Sequence, residues 1–370
     1  MRKRRQSRAL LGAGLLGAFV LSFAVVFALG QAYPFASNGQ LSFSRNGGDP
    51  AALLPLPPLN KLAYDTKLLQ IAHLATSSPW YGAFLQGTTT ASTTIPRPLW
   101  PVKRVYPNAG AILPFNRIVA YYGNFLSRGM GVLGEYDPDE MLAMLASTTA
   151  QWQAADPSTP VIPALHLIIV TAQASAGQDG KYRARMADSQ IDKALQLASR
   201  MSGLVFLDFQ VGFSTVEQEL PQYEKYFELP NVHVGIDPEF SMKGKYPPGR
   251  EVGSFDAADI NWAANYLAGI VKEKNLPPKI LIVHRFTQDM VTNYKRIAPL
   301  PEVQIVIDMD GWGSQEKKYT TYTWIVAAEP VQFTGFKLFY KNDLKPPSSG
   351  MMSPAQVLGL TPAPVYIQYQ

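Results

Sequence analysis

The chain contains no cysteine. Disulfides, thiolate catalysis, cysteine-bound zinc and an acylated lipoprotein anchor are therefore excluded. Histidine is scarce, with four residues in 370. None of the four falls into an H-x-H or H-E-x-x-H spacing, so a tight zinc site has little support. Net charge is also missing once its location is considered. The formal charge of +5 comes from 33 basic and 28 acidic residues. Arg2, Lys3, Arg4, Arg5 and Arg8 supply the whole excess, so the remaining 28 basic residues balance the 28 acids. A neutral body gives no support for nucleic-acid binding, which needs a concentrated basic surface. The chain also lacks an internal repeat at a fixed short period.

Two things are present in quantity. The first is an uncharged, apolar run over residues 9–30, directly after the basic cluster. Its length suffices to span a bilayer, which takes about 20 residues. The small residues Ala28 and Gly30 would equally suit cleavage, so the run reads as a membrane anchor or a secretory signal. Either way the basic flank stays in the cytoplasm and the rest of the chain is expected outside it. Residues 31–115 form the next unit, a linker and extended segment. It is rich in Gly, Ser and Pro at first, with one short helix over about 62–75 and extended chain over 76–115 that is expected to cover the bottom or side of the main domain. Trp80 and Trp100 read there as packing anchors.

The second is a regular alternation from residue 116 onward. Strands are expected at 117–123 (RIVAYYG), 161–172, 203–212 (GLVFLDFQVG), 232–240, 279–286 (KILIVHRF), 303–313 (VQIVIDMDGWG), 333–340 and 364–370 (PVYIQYQ). Helices are expected between them at about 138–154, 184–201, 214–227, 256–274, 288–297, 317–328 and 353–360. Asp137, Ser214 and Asp256 are plausible N-caps, with Glu217 in capping-box position after Ser214. Strand and helix in turn imply a parallel sheet. Eight such units over residues 116–370 fit a closed (β/α)8 TIM barrel, preceded by the export segment and the linker. An open doubly wound sheet would want a Gly-rich phosphate turn after its first strand, and YYGNFLSRGMG has the wrong glycine spacing.

In a barrel of this kind the active site lies at the C-terminal strand ends. Those ends carry Tyr122 and Asn124, His166, Asp208 and Gln210, Asp237 and Glu239, His284 and Arg285, Asp308, Asp310 and Trp312, Lys337, and Gln368. Strand residues two apart share a face, which puts Asp237 with Glu239 and Asp308 with Asp310. Five acids converging with histidines and aromatic rings suit a sugar site, where one carboxyl gives a proton and another acts as nucleophile or base. Glu239 is the expected acid, with Asp308 or Asp310 as its partner. Asp208 and Asp237 orient or tune the pair, while Trp312 and Tyr122 stack on sugar rings. No organic cofactor is indicated. A divalent ion held by these acids with His166 and His284 is the competing chemistry, a metal-dependent hydrolase. A third reading is a non-catalytic cell-envelope barrel whose acids are paired with Arg285, Lys337 and Lys243. Lys337 alone could form a Schiff base. His73 and His233 read as satisfied core residues. Residues 241–255, with Gly244, Pro247, Pro248 and Gly249, form the expected lid.

The Asp237-Pro238-Glu239 strand end resembles the DxE motif of the family-25 glycoside hydrolase lysozymes. The last strand, Tyr366-Ile367-Gln368-Tyr369, is similar to the QY-containing last strand of that family. More broadly the chain resembles the glycoside-hydrolase-type (β/α)8 barrels. The resemblance implies cleavage of a cell-wall or extracellular polysaccharide, which suits an exported protein.

Overall fold

The computed structural model describes residues 56–88 and 94–370. The expected export segment at 9–30 and the first half of the linker lie outside the described residues. Eight strands form the centre: β1 (Arg117–Gly123), β2 (Val161–Ala172), β3 (Leu204–Phe209), β4 (Val232–Ile236), β5 (Lys279–Arg285), β6 (Val303–Met309), β7 (Phe333–Leu338) and β8 (Tyr366–Tyr369). Each pairs in parallel with its neighbours, and β1 pairs with both β2 and β8. The sheet therefore closes into the expected eight-stranded barrel. A short strand, Arg183–Arg185, adds antiparallel to the end of β2.

Parity divides the strand residues into two sets, as a period of two requires. Val119, Tyr121, Leu165, Leu207, Val234, Leu281, Ile305 and Ile307 face outward into the core shared with the helices. Ile118, Ala120, Phe206, Ile280, Ile282, Val306 and Tyr366 face inward and fill the lower half of the barrel. Below them the chain before β1 closes the floor. The helix Lys61–Ile71 buries Tyr64, Leu68 and Leu69 against this layer, together with Ile112 and Leu113. Gln304 at the bottom of β6 holds Leu113 through both its amide groups, donating to the carbonyl at 2.7 Å and accepting from the N–H at 3.1 Å. Trp100 is buried and donates to the Ala327 carbonyl at 2.8 Å, so it is a packing anchor.

Several elements differ from expectation. Residues 76–115 are not wholly extended, because Ser78 and Pro79 start a helix over Pro79–Leu85. The helix expected at 214–227 is broken. Thr215 is its cap, not Ser214, and Pro221 removes an N–H and leaves a 3-10 turn between two short helical pieces. Ser214 instead donates to the buried Glu219 carboxylate, which also receives Arg183 and Arg185. No α-helix forms at 288–297. Arg285 donates to the carbonyls of Thr287, Gln288 and Val291, which holds that segment as a loop. The β-branched pair Val291–Thr292 then bridges to Phe255–Asp256. The helix after β6 starts at Gln315 and widens into a π-helical stretch, Tyr322–Ala327. The helix Ala257–Lys274 stands as expected, capped by Asp256 with Asp259 completing a capping box. No helix of the described residues is long and apolar enough to cross a membrane.

Candidate active site

Towards the C-terminal ends of the strands the inward residues change character. Above the apolar layer lie His166, Asp208, His284, Asp308 and Gln368, all fully buried. Space for these side chains comes from two inward glycines. A Cβ at Gly235 would collide with Asp208 Oδ1 and His166 Nε2, and one at Gly335 would collide with Asp308 Oδ1. Asp208 is the hub of this layer. Its Oδ1 lies 3.2 Å from His166 Nε2 and 3.3 Å from His284 Nε2, and its Oδ2 accepts from the Tyr122 hydroxyl at 2.9 Å. On its other side His166 Nδ1 meets the Tyr366 hydroxyl at 2.6 Å and the Gln368 amide at 3.1 Å. His284 Nδ1 lies 3.2 Å from Asp310 and 3.5 Å from Asp308. His284 thus links the buried hub to the top of the barrel.

Above this layer the barrel opens into a cavity of about 500 Å³. Tyr122, Gln210, Asp237, Glu239, Asp310 and Lys337 form its base, and Trp312, Phe240, Phe286 and Phe339 its walls. Lys337 Nζ lies 2.9 Å from Asp310 Oδ1 and 3.9 Å from the centre of the Tyr122 ring. Glu239 reaches the cavity by a turn and not by strand alternation. β4 stops at Ile236, Pro238 cannot continue the ladder, and Asp237 caps a 3-10 turn over Pro238–Phe240. The Asp237 carboxylate accepts from the Glu239 N–H at 3.0 Å. Gly253 N–H then donates to the Glu239 carbonyl at 2.7 Å. Only glycine fits at 253, because a Cβ would meet the carbonyl oxygens of Pro238, Ser241 and Glu239 at 2.6–2.8 Å.

Environment separates the acids into two kinds. Burial raises the Glu239 carboxyl to about 7, repulsion from Asp310 adds to this, and the Lys337 and His284 charges oppose it. Burial also raises Asp237 well above the carboxylate range, with Glu239, Asp208 and Asp310 repelling its charge. Asp308 is raised by burial as well, against the pull of His284. Asp208 and Asp310 go the other way. Burial opposes their charge, but His284 and His166 around Asp208, and Lys337 and His284 around Asp310, hold both below the usual range. His166 is pushed down to about 4 by burial and stays neutral. His284 is held well above its ordinary value by the Asp208 charge, despite burial. In the cavity the environment thus favours the protonated form of Glu239 and Asp237 and the ionised form of Asp310.

The fourteen side chains expected at the strand ends fall at three places. Tyr122, Gln210, Asp237, Glu239, Asp310, Trp312 and Lys337 line the cavity. His166, Asp208, His284, Asp308 and Gln368 form the layer beneath it, closed from solvent. Asp308, one of the two expected partner carboxylates, thus lies beneath the cavity and does not line it. Asn124 and Arg285 are elsewhere. The Asn124 amide donates to the Ile168 carbonyl and its oxygen accepts from Leu126 N–H, which shapes the loop after β1. Arg285 follows inward His284, so parity turns it outward onto Glu329 and the 287–291 loop. The expected lid over residues 241–255 does not line the cavity. Met242 N–H bonds to Gly212 at 3.0 Å and Ser254 N–H to Ser241 at 3.1 Å, which ties it beside the β3 end. Phe240, Phe286, Lys317 and Phe339 also line the cavity; the three rings lie at or near the ends of expected strands and Lys317 in the helix Gln315–Thr321, but none was singled out as a site residue.

Among the described residues one group could gather around a metal ion: His166, Asp208 and His284, whose ligand atoms lie within 4.8 Å of one another. The donor chemistry suits a divalent ion, and the 3.2 and 3.3 Å separations are also those of a hydrogen-bonded trio. His233, the other buried histidine, accepts from the Ile280 N–H and is a core residue. His73 is exposed and bonds the carbonyls of Leu358 and Leu360.

No protein-family model matches the chain. No curated protein matches it either. Among solved structures it is similar to a hyperthermophilic endo-β-1,4-glucanase in complex with substrate, at 9% identity and a TM-score of 0.35. That match covers 69% of this chain and 89% of the other. It is also similar to a ruminal GH26 endo-β-1,4-mannanase, at 10% identity and a TM-score of 0.34, over 69% of this chain and 58% of that one. These values are too low to carry a functional argument, so the reading below rests on the site itself.

Proposed function

We propose that the protein is a glycoside hydrolase that cleaves a polysaccharide, with Glu239 as the proton donor and Asp310 as the partner carboxylate. The observation that carries this reading is the Glu239 carboxyl. It is raised to about 7 in an aromatic-walled cavity that it shares with Asp310. Glycoside cleavage needs one protonated and one ionised carboxyl flanking the bond. Near neutral pH Glu239 is still partly protonated while Asp310 is held in its ionised form. Lys337 and His284 keep Asp310 ionised and fix its direction, while Tyr122 and Gln210 tie the base of the cavity to Asp208 and Asp237. Trp312, Phe240, Phe286 and Phe339 offer faces on which sugar rings stack. The basic cluster and apolar run at residues 1–30 support export, and with it a cell-wall or extracellular substrate.

The test is the pH dependence of kcat/KM for polysaccharide hydrolysis. Glu239 must hold its proton, so kcat/KM falls as pH rises through about 7. Asp310 must be ionised, and its lowered value puts the acidic limb below the usual carboxylate range. Removing a general acid costs about 10²–10⁴-fold, so Glu239→Gln loses activity by that much and also loses the basic limb. A basic limb that survives in Glu239→Gln would assign the proton to another group.

A further inference from the structure

We propose that the sugar bound beside Trp312 carries a carboxylate, so that the substrate is an acidic polysaccharide recognised by Lys317 and Lys345. This rests on the glycosidase reading and names its substrate class. Lys337 is paired with Asp310 at 2.9 Å. Asp237 and Glu239 are carboxyls whose charged forms are disfavoured by burial. Lys317 is the remaining charged residue of the lining, and among the described residues no carboxylate lies within ion-pair distance of it. Its ammonium sits instead 4.9 Å from the centre of the Trp312 ring.

Lys345, from the loop after β7, brings a second ammonium to 5.5 Å from the same ring, and it too has no carboxylate partner among the described residues. Trp312 is 48% exposed at the rim. An exposed indole flanked by two unpaired cations is a poor resting arrangement for a neutral ligand. A neutral sugar stacking there would displace the ammonium groups from the ring and give nothing back. A uronic acid stacking there gives each lysine an anion while its ring covers the indole. The neighbouring Lys318 is a different case. It is buried, bonded to the Gly311 and Lys337 carbonyls and paired with Asp343, so it supports the loop and does not face the ligand.

The experiment is a binding screen of the wild-type chain against soluble neutral glycans and uronic-acid glycans, each acidic glycan matched by its methyl ester. Lys317→Ala/Lys345→Ala and Lys317→Arg are screened beside it. Both lysines are exposed, so the variants keep the fold. The proposal expects the acidic glycans to bind and their esters to bind at least about tenfold more weakly. It expects the double variant to lose that difference and Lys317→Arg to keep it. Equal binding of acid and ester, or an unchanged preference in the double variant, overturns it while leaving the glycosidase reading in place. Binding of no glycan of either kind overturns both.

Discussion

Glu239 and Asp310 lie in one cavity yet are expected to titrate on opposite sides of the usual carboxylate range, and the cause is what surrounds each. Asp310 has two cations against it, whereas Glu239 has burial and a repelling neighbour. The contrast predicts a stability effect separate from catalysis. The Glu239 value is raised above that of an unfolded chain, so its contribution is full below about 4.5 and is lost as pH rises through about 7. Glu239→Gln should therefore raise the melting temperature relative to wild type at pH 8 and leave it nearly unchanged at pH 4. An equal shift at both values would mean that Glu239 ionises freely. Asp308 offers a second contrast at this scale. It is fully buried, both its oxygens lack a hydrogen bond, and burial favours its neutral form. Asp308→Asn should keep kcat within about tenfold of wild type, a difference of about 1.4 kcal/mol, while Asp310→Asn should lose it. The pairing of residues at each strand end was legible in the sequence. Depth was not: Asp308 and Asp310 share a face in an alternating pattern, and the two-residue step along the strand leaves Asp308 in the closed layer and Asp310 at the base of the cavity.

At the level of elements, the inward and outward faces of the strands were readable because a closed barrel has only two sides. Where a strand end stops alternating, that reading fails. Pro238 turns Glu239 out of the strand path, and Arg285 sits one residue past inward His284 on the opposite face. Arg285→Met should lower stability, since it leaves Glu329 and three loop carbonyls without their donor. It should leave KM unchanged, which steady-state kinetics on the folded variant would check. The two inward glycines were invisible as site residues, because glycine in a strand carries no chemical signal. They are what lets two carboxylates fit inside the barrel. Gly235→Ala and Gly335→Ala each force a shift of buried backbone or carboxylate and should cost about 1–3 kcal/mol in chemical denaturation. The missing helix after β5 has a cause of the same kind: a side chain of the preceding strand takes the carbonyls that a helix would have used.

For the molecule as a whole, the alternation of strand and helix announced the barrel, and the extended chain before it was read as covering its bottom or side, but which residues make the floor was not legible. The segment before β1 has little periodicity, and its role is set by what it covers. Tyr64, Leu68, Leu69, Ile112 and Leu113 pack on the lower barrel core. A chain beginning at residue 116 would expose that layer and should aggregate or melt well below one beginning at residue 56, as scanning calorimetry of the two would show. The central claim concerns the upper end of the same barrel, where one acid keeps its proton and another loses it. Its most direct test is reducing-end release from a panel of neutral and acidic polysaccharides by wild type, Glu239→Gln and Asp310→Asn at pH 6. The account predicts release by the wild type and loss of about 10²-fold or more in each variant. Release that is unchanged in either variant, or absent from every polysaccharide with the folded wild type, would contradict it.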